Sequence, residues 1–358
     1  MRGRLSSIVT LVLALGLWVG LGAGAAWSAD KPLVLRYAAQ GAPKGVRAEA
    51  VKWWASEIEK RSKGKVQIKF FWSGALLKPG DAMEGIGART ADLGGAWGIY
   101  HPAKTPLWTV GDPPFSHDDP YVGLATMREM FKTYKPLIDE LAKYNVKVLA
   151  PFVTGMTQLG TTKKEVFVPA DTEGMKIRFA GGQWAKFWKS VNAVPIKLTQ
   201  GEVYEALMRG TADATQSYFF ILEAYKHWDV IKYYSVINAG ELCSYGLAIN
   251  LQLYNSFSPE LKKVFNEVSD EFVERYAKGL IDVRKKVIPL GEKKGMKFLY
   301  LNQEQRAKWL AAAKPFMEAW AKAMDERGLP GTKTQQTFLS LADKYKKQVE
   351  AKGYPWGK

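Results

Sequence analysis

The residue best placed to do chemistry in this 358-residue chain is an arginine near the end of a short alternating stretch. In Asp171-Thr172-Glu173-Gly174-Met175-Lys176-Ile177-Arg178-Phe179, a turn leads into a strand where Lys176 and Arg178 alternate with Ile177 and Phe179. Arg178 therefore projects opposite the apolar pair. A guanidinium at a strand end can hold a carboxylate through two parallel hydrogen bonds, a geometry that a lysine cannot reproduce. The same spacing also suits a solvent-facing or salt-bridged arginine, and the local pattern leaves both readings open.

Other chemistries have thinner support. No Gly-x-Ser-x-Gly stretch marks a nucleophile, and the single cysteine, Cys243, reads as a small buried hydrophobe with no partner for an intrachain disulfide. His101, His117, His227 and Cys243 offer few soft or imidazole ligands for zinc. His117-Asp118-Asp119 is the best metal-like cluster, but adjacent positions in a loop bounded by Pro113, Pro114 and Pro120 point in different directions. Gly94, Gly95 and Gly98 lack a dinucleotide fingerprint. Neither a metal nor a cofactor is expected. Glu202 and Asp213 could serve a secreted hydrolase or lyase as paired carboxylates, although their places read as a helix start and a strand start.

The elements that would position Arg178 follow from hydrophobic spacing. Residues 33–38 read as a buried strand, broken by Gly41, Pro43 and Gly45; a helix follows with Val51, Trp54, Ala55 and Ile58 on one face, and 66–70 alternate as a second strand. Strand, helix, strand opens an α/β lobe. A helix-like segment, 81–89, then runs into Thr90-Ala91-Asp92 and an apolar stretch ending at Trp97. A second, 202–209, runs through Gly210 into Thr211-Ala212-Asp213 and a stretch ending at Tyr218. The tripeptide alone could recur by chance. As a repeat it means two similar lobes, each delivering a strand end with an aromatic residue toward a common cleft.

Extended segments at 146–152 and 161–164 suit a crossing between lobes, with a return near 242–250. A long helix opens at Ser258-Pro259-Glu260 and is expected to reach Val287, where Pro289 limits it. The first lobe is expected to comprise 30–150 plus about 243–285. The second is expected to comprise 151–242 plus about 286–358, including the C-terminal helices. The N-terminus is built differently: Arg2 and Arg4 precede an apolar run at 8–21 and small residues at 22–26. That pattern is a secretory signal peptide over 1–29, expected to be cleaved and to deliver the mature chain to a bacterial periplasm. Losing two arginines takes the net charge from +16 to +14. The surplus sits on exposed C-terminal helices and accompanies no nucleic-acid fold pattern, so no nucleic-acid partner is expected.

From Leu33 to about Asn250 the chain resembles the periplasmic solute-binding proteins of tripartite ATP-independent (TRAP) transporters, often labelled C4-dicarboxylate-binding. The matching pieces are Trp54 to Phe71, Gly74-Ala75-Leu76, Ala91-Asp92, Pro113-Pro114-Phe115, Gly174-Met175-Lys176-Ile177-Arg178, and Glu202-Val203-Tyr204 to Asp213. The resemblance implies a two-lobe Venus-flytrap α/β fold with crossover strands and a long helix linking the lobes. It implies a non-enzymatic role, an organic-acid anion as solute, a sodium-driven TRAP permease as partner, and Arg178 as the clamp on the solute carboxylate.

Two departures matter. Sialic-acid-type members carry Gly-x-Arg-Gln where this chain reads Gly155-Met156-Thr157-Gln158, so that second cation is missing. They place an asparagine where Thr215-Gln216-Ser217-Tyr218-Phe219-Phe220 is bulkier and more aromatic. The expected cleft residues are Arg178, Trp97, Thr157, Gln158, Trp184, Ser217, Tyr218 and Tyr245, suiting one carboxylate with a flat or apolar body. The aromatics among them read equally well as core.

Overall fold

Parallel pairing of short strands around buried helices builds the first half of the chain. A computed structural model describes residues 31–357, so the expected signal segment lies outside the described residues. β1 (Leu33–Ala38), α1 (Val46–Arg61), β2 (Val66–Phe71), α2 (Ala82–Gly87) and β3 (Leu93–Trp97) form one unit, with β1 parallel to both β2 and β3. α1 buries Val51, Trp54, Ala55 and Ile58, the face its spacing requires. α3 (Pro120–Thr133) starts on the Asp119 carboxylate, which accepts from the Tyr121 and Val122 amides, and α4 (Lys135–Ala142) leads into β4 (Val146–Phe152).

The chain then crosses and repeats itself. After β5 (Gln158–Thr161) come β6 (Lys176–Phe179), α5 (Trp184–Ser190), β7 (Val194–Lys197), α6 (Val203–Met208) and β8 (Ala214–Ser217), with β6 parallel to β7 and β8. The orders β2-β1-β3 and β7-β6-β8 are the same motif. The two aspartates of the repeated tripeptides do the same job: Asp92 accepts the Arg36 amide at 2.9 Å and Asp213 the Lys176 amide at 2.9 Å, each tying its strand to the middle one. The repeat is thus a structural duplication.

α7 (Phe219–Ala224) and β9 (Tyr233–Val236) precede the return crossing to β10 (Tyr245–Asn250). β10 inserts antiparallel between β3 and β4, giving the sheet β2-β1-β3-β10-β4. α8 (Leu251–Asn255), α9 (Pro259–Lys293) and β11 (Lys297–Tyr300) follow, and the second sheet has the order β11-β9-β5-β8-β6-β7. The two crossing segments brace one another, the Thr157 amide donating to Gly240 at 2.7 Å and the Ala239 amide to Thr157 at 2.9 Å. Gly155, Asn238 and Gly240 take positive φ there, as a sharp change of direction between sheets demands.

α9 links the lobes. Trp54 of α1 donates to Ser269 at 3.0 Å, while Arg284 lies over Phe219 of α7 at 4.8 Å. Pro289 does not end this helix, contrary to expectation. It forfeits one backbone hydrogen bond near the terminus, and Gly291 packs close under Phe298 and Met296 to hold the last turn.

α10 (Gln303–Asp325) and α11 (Gly331–Lys352) follow, and a short turn at Pro355–Gly357 closes the described residues. α11 packs on α3: Tyr345 donates to Glu129 of α3 at 2.6 Å, and Thr334 meets the Tyr134 hydroxyl at 2.8 Å. α10 touches both halves, with Trp320 donating to Thr109 at 2.9 Å and Trp309 to the Phe167 carbonyl at 2.9 Å. Amphipathic spacing shows that a face is buried without naming its partner.

Asp112 anchors the return crossing. Its Oδ1 accepts the Cys243 and Ser244 amides at 2.7 and 2.9 Å, and its Oδ2 accepts the Ser244 hydroxyl. Burial pushes its pKa up to about 7, and burial likewise raises Glu140, which accepts the Leu107 and Trp108 amides, to about 7. A carboxyl raised in the folded state favours folding most when protonated, so this contribution is present below about pH 4 and lost as pH rises toward 7. Asp112→Asn keeps an Oδ1 for the two amides and no longer titrates. Its unfolding free energy is expected to change with pH less steeply than wild type between pH 5 and 7, by about 1 kcal/mol per pH unit. Parallel slopes in denaturant melts would remove Asp112 as the titrating group.

Candidate functional site

The cleft between the two sheets has an empty volume of about 920 Å³, its open mouth included, and residues of both lobes line it. Arg178 enters from β6, where register places it beside Thr215 of β8 and Ile196 of β7. It is 1% exposed. Nε and Nη2 donate to the Leu198 carbonyl at 3.0 and 2.8 Å, so one edge of the guanidinium is fully spent on backbone. Nη1 meets only Gln200 Oε1 at 3.3 Å. No carboxylate pairs with Arg178 among the described residues. A cation this deeply buried carries a desolvation cost that an anion from outside would offset.

A second arginine reaches the cleft from the other lobe. Arg47 lies in the first turn of α1, just after Gly45 with φ 86°. Its guanidinium carbon sits 4.9 Å from the Trp97 ring, 5.3 Å from Phe220, 5.5 Å from Phe152 and 5.8 Å from Tyr245, and Nε donates to the Tyr276 hydroxyl at 3.4 Å. It has no acidic partner among the described residues either. Lys44 stands at the exposed rim, and no aspartate or glutamate lines the cleft among those residues.

The remaining polar groups are donors in want of acceptors. Gln40 accepts from Trp97 Nε1 at 2.8 Å through Oε1, leaving its buried Nε2 without a partner; Gln200 Nε2 and the Tyr218 hydroxyl are likewise buried and unpaired. Burial pushes the Tyr218 phenol up to about 12, keeping it a proton donor at neutral pH. Tyr100 and Tyr245 are raised by burial too, against the pull of both Arg47 and Arg178. Aromatic walls, donors and two arginines without acids among the described residues suit an organic anion.

A family model described as bacterial extracellular solute-binding protein, family 7 (DctP) matches residues 37–323. The chain belongs to this DctP family of TRAP solute-binding proteins. Among its relatives, a solute-binding protein of Chromohalobacter salexigens is 27% identical over 203 residues, spanning 54% of this chain and 57% of that protein. A TRAP solute-binding protein from Rhodoferax ferrireducens, solved with copurified benzoate, superposes with TM-score 0.80 at 20% identity over 88% of this chain and 99% of the other. A marine-metagenome TRAP protein from an unidentified microbe, specific for aromatic acids and holding 3-hydroxybenzoate, gives 0.79 at 22% identity over 88% and 99%. At these identities the two structures speak to the fold alone.

In this DctP-family protein, Trp97, Arg178, Tyr218 and Tyr245 come together in the cleft lining, with Trp97 and Tyr245 packed edge to face at 4.5 Å. Thr157, Gln158, Trp184 and Ser217 lie outside that lining. Thr157 and Gln158 stiffen the crossing: Gln158 Nε2 donates to the Met156 carbonyl at 3.0 Å and to Asn238 Oδ1 at 2.8 Å, and its Oε1 accepts the Asn238 amide at 3.0 Å. Trp184 is core, packed on Phe187 and Trp188, with its indole donating to the Asp112 carbonyl at 3.0 Å. Ser217 sits beside the buried Tyr234 phenol.

The other candidates are tied up elsewhere. Glu202 accepts the Thr199 amide and hydroxyl at 2.7 and 2.6 Å in a capping box, and Asp213 serves its strand, so the two do not form a catalytic pair. His117 pairs with Glu241 at 2.9 Å, Asp118 with Lys346 at 2.8 Å, and Asp119 caps α3. Among the described residues no group of three His, Cys, Asp or Glu side chains could hold a metal ion. Burial raises the Cys243 thiol well above its usual range, which suppresses the nucleophilic thiolate. Sequence reading missed Arg47, Gln40, Gln200, Tyr100, Phe152 and Phe220. The one available signal for Arg47 was its place in the loop-to-helix segment after the carboxyl end of β1, where open α/β sheets bind ligands.

Proposed function

We propose that this protein captures an organic acid with a flat or apolar body in the interlobe cleft and hands it to a TRAP membrane permease. The observation that carries the reading is Arg178, buried without an acidic partner among the described residues and lining an aromatic cleft. The solute carboxylate takes the outer edge of its guanidinium, while the Leu198 carbonyl and Gln200 fix its orientation. The body lies against Trp97 and Tyr245 of the first lobe. Closure is then favoured because only the closed form makes both sets of contacts at once. The aromatic lining of the cleft supports this solute class. The basic, apolar N-terminus supports export by a cleaved signal, and membership of a family described as extracellular supports work outside the cytoplasm.

A thermal-shift screen of the mature chain tests the reading, since a ligand of the native state raises the melting temperature by mass action. Benzoate, hydroxybenzoates, sugar acids and C4 dicarboxylates form the acid set, with benzamide as the uncharged counterpart of benzoate. Stabilisation by an acid and none by benzamide is expected. Equal shifts with benzoate and benzamide would remove the carboxylate from the recognition.

A further inference from the structure

We infer that the cleft holds a second oxyanion site at Arg47, and that its preferred solute is an aromatic acid with another carboxylate at the far end of the ring. This rests on the carboxylate-at-Arg178 reading and extends it. The charge balance comes first. Lys44, Arg47 and Arg178 line the cleft with no acid among the described residues, and Lys44 at the rim keeps its water. A monocarboxylate on Arg178 neutralises one of the two inner charges. Closure would then strip water from Arg47 with its charge unpaired, an unfavourable step.

Hydrogen bonding agrees. Nε of Arg47 has a long 3.4 Å contact to Tyr276, and its Nη1 and Nη2 have no recorded partner among the described residues. The surrounding rings of Trp97, Phe220, Phe152 and Tyr245 compensate charge through their faces but accept none of these N–H bonds. A fork of this kind fits a carboxylate in bidentate geometry.

The arrangement also selects the body between the two sites. One arginine comes from each lobe, and Tyr100, Tyr218 and Tyr245 line the same cleft as both, with the Tyr245 ring 5.8 Å from the Arg47 guanidinium carbon. Tyr37, Trp72 and Tyr225 add further aromatic wall. An aliphatic diacid would balance the charges and leave this wall uncovered; a benzene ring carrying opposed carboxylates satisfies both.

Calorimetry at pH 8 with 1,4-benzenedicarboxylate, its monomethyl ester, benzoate and succinate tests the inference. In wild type the diacid is expected to bind about 30-fold more tightly than the ester of the same shape. Arg47→Met is expected to shrink that ratio to about threefold, and Arg47→Lys, which keeps charge without the fork, to leave an intermediate ratio. An ester that binds wild type as tightly as the diacid overturns the second site without needing any variant. So does an Arg47→Met ratio equal to that of wild type. Succinate binding more tightly than the diacid overturns the aromatic class. Benzoate binding that still depends on Arg178 would leave the carboxylate anchor standing in each of those cases, whereas no binding of any of the four compounds would overturn both readings.

Discussion

Arg178→Ala is expected to weaken carboxylate binding by about 2–5 kcal/mol, roughly 30-fold to several-thousand-fold in affinity. The size follows from the burial of the guanidinium: a carboxylate drawn into an enclosed aromatic cleft would lose its charge partner and be left poorly solvated. Lysine should not rescue it. One edge of Arg178 is held by the Leu198 carbonyl while the other remains for the ligand, and an ammonium cannot serve both in a fixed plane. Calorimetry with the acid that stabilises wild type most, alongside circular dichroism to verify folding, makes the measurement. An affinity unchanged in a folded variant would rule out Arg178 as the anchor.

The second large effect is on stability. Trp184→Ala is expected to cost about 3–5 kcal/mol of folding free energy, the range for removing a fully buried large aromatic side chain. The indole packs against Phe187 at 5.5 Å and Trp188 at 5.8 Å, and its N–H reaches the Asp112 carbonyl at 3.0 Å, joining α5 to the loop that anchors the return crossing. Trp184→Phe should keep much of the packing and lose mainly the hydrogen bond, about 1 kcal/mol. Guanidinium unfolding curves would show the difference. A normal midpoint together with lost solute affinity would instead place the indole in solute recognition.

Much of the architecture was legible because it rests on local periodicity. The face of α1, the two Thr-Ala-Asp turns and the exposed Lys/Arg-rich helices all follow from spacing along the chain. Arg178 stood out because strand alternation separates it from Ile177 and Phe179. Arg47 did not, since nothing around Val46-Arg47-Ala48 distinguishes it from a solvated first-turn arginine. Its environment is assembled from β3, β4, α7, α9 and β10, elements distant in sequence. Trp184 shows the converse: a tryptophan after paired glycines looks available for a ligand until tertiary packing encloses it. The partner of α11 was hidden for the same reason, because an amphipathic stripe has no address.

The position of β10 has a kinetic consequence. It fills the slot between β3 and β4, so the first sheet lacks an interior strand until residue 250 has been synthesised and has travelled back across the molecule. Pairings of such high sequence separation form slowly. An N-terminal fragment ending at residue 240 would expose two unsatisfied strand edges flanking an empty gap, and half-made chains should accordingly be substrates for holdase chaperones rather than early-folding domains.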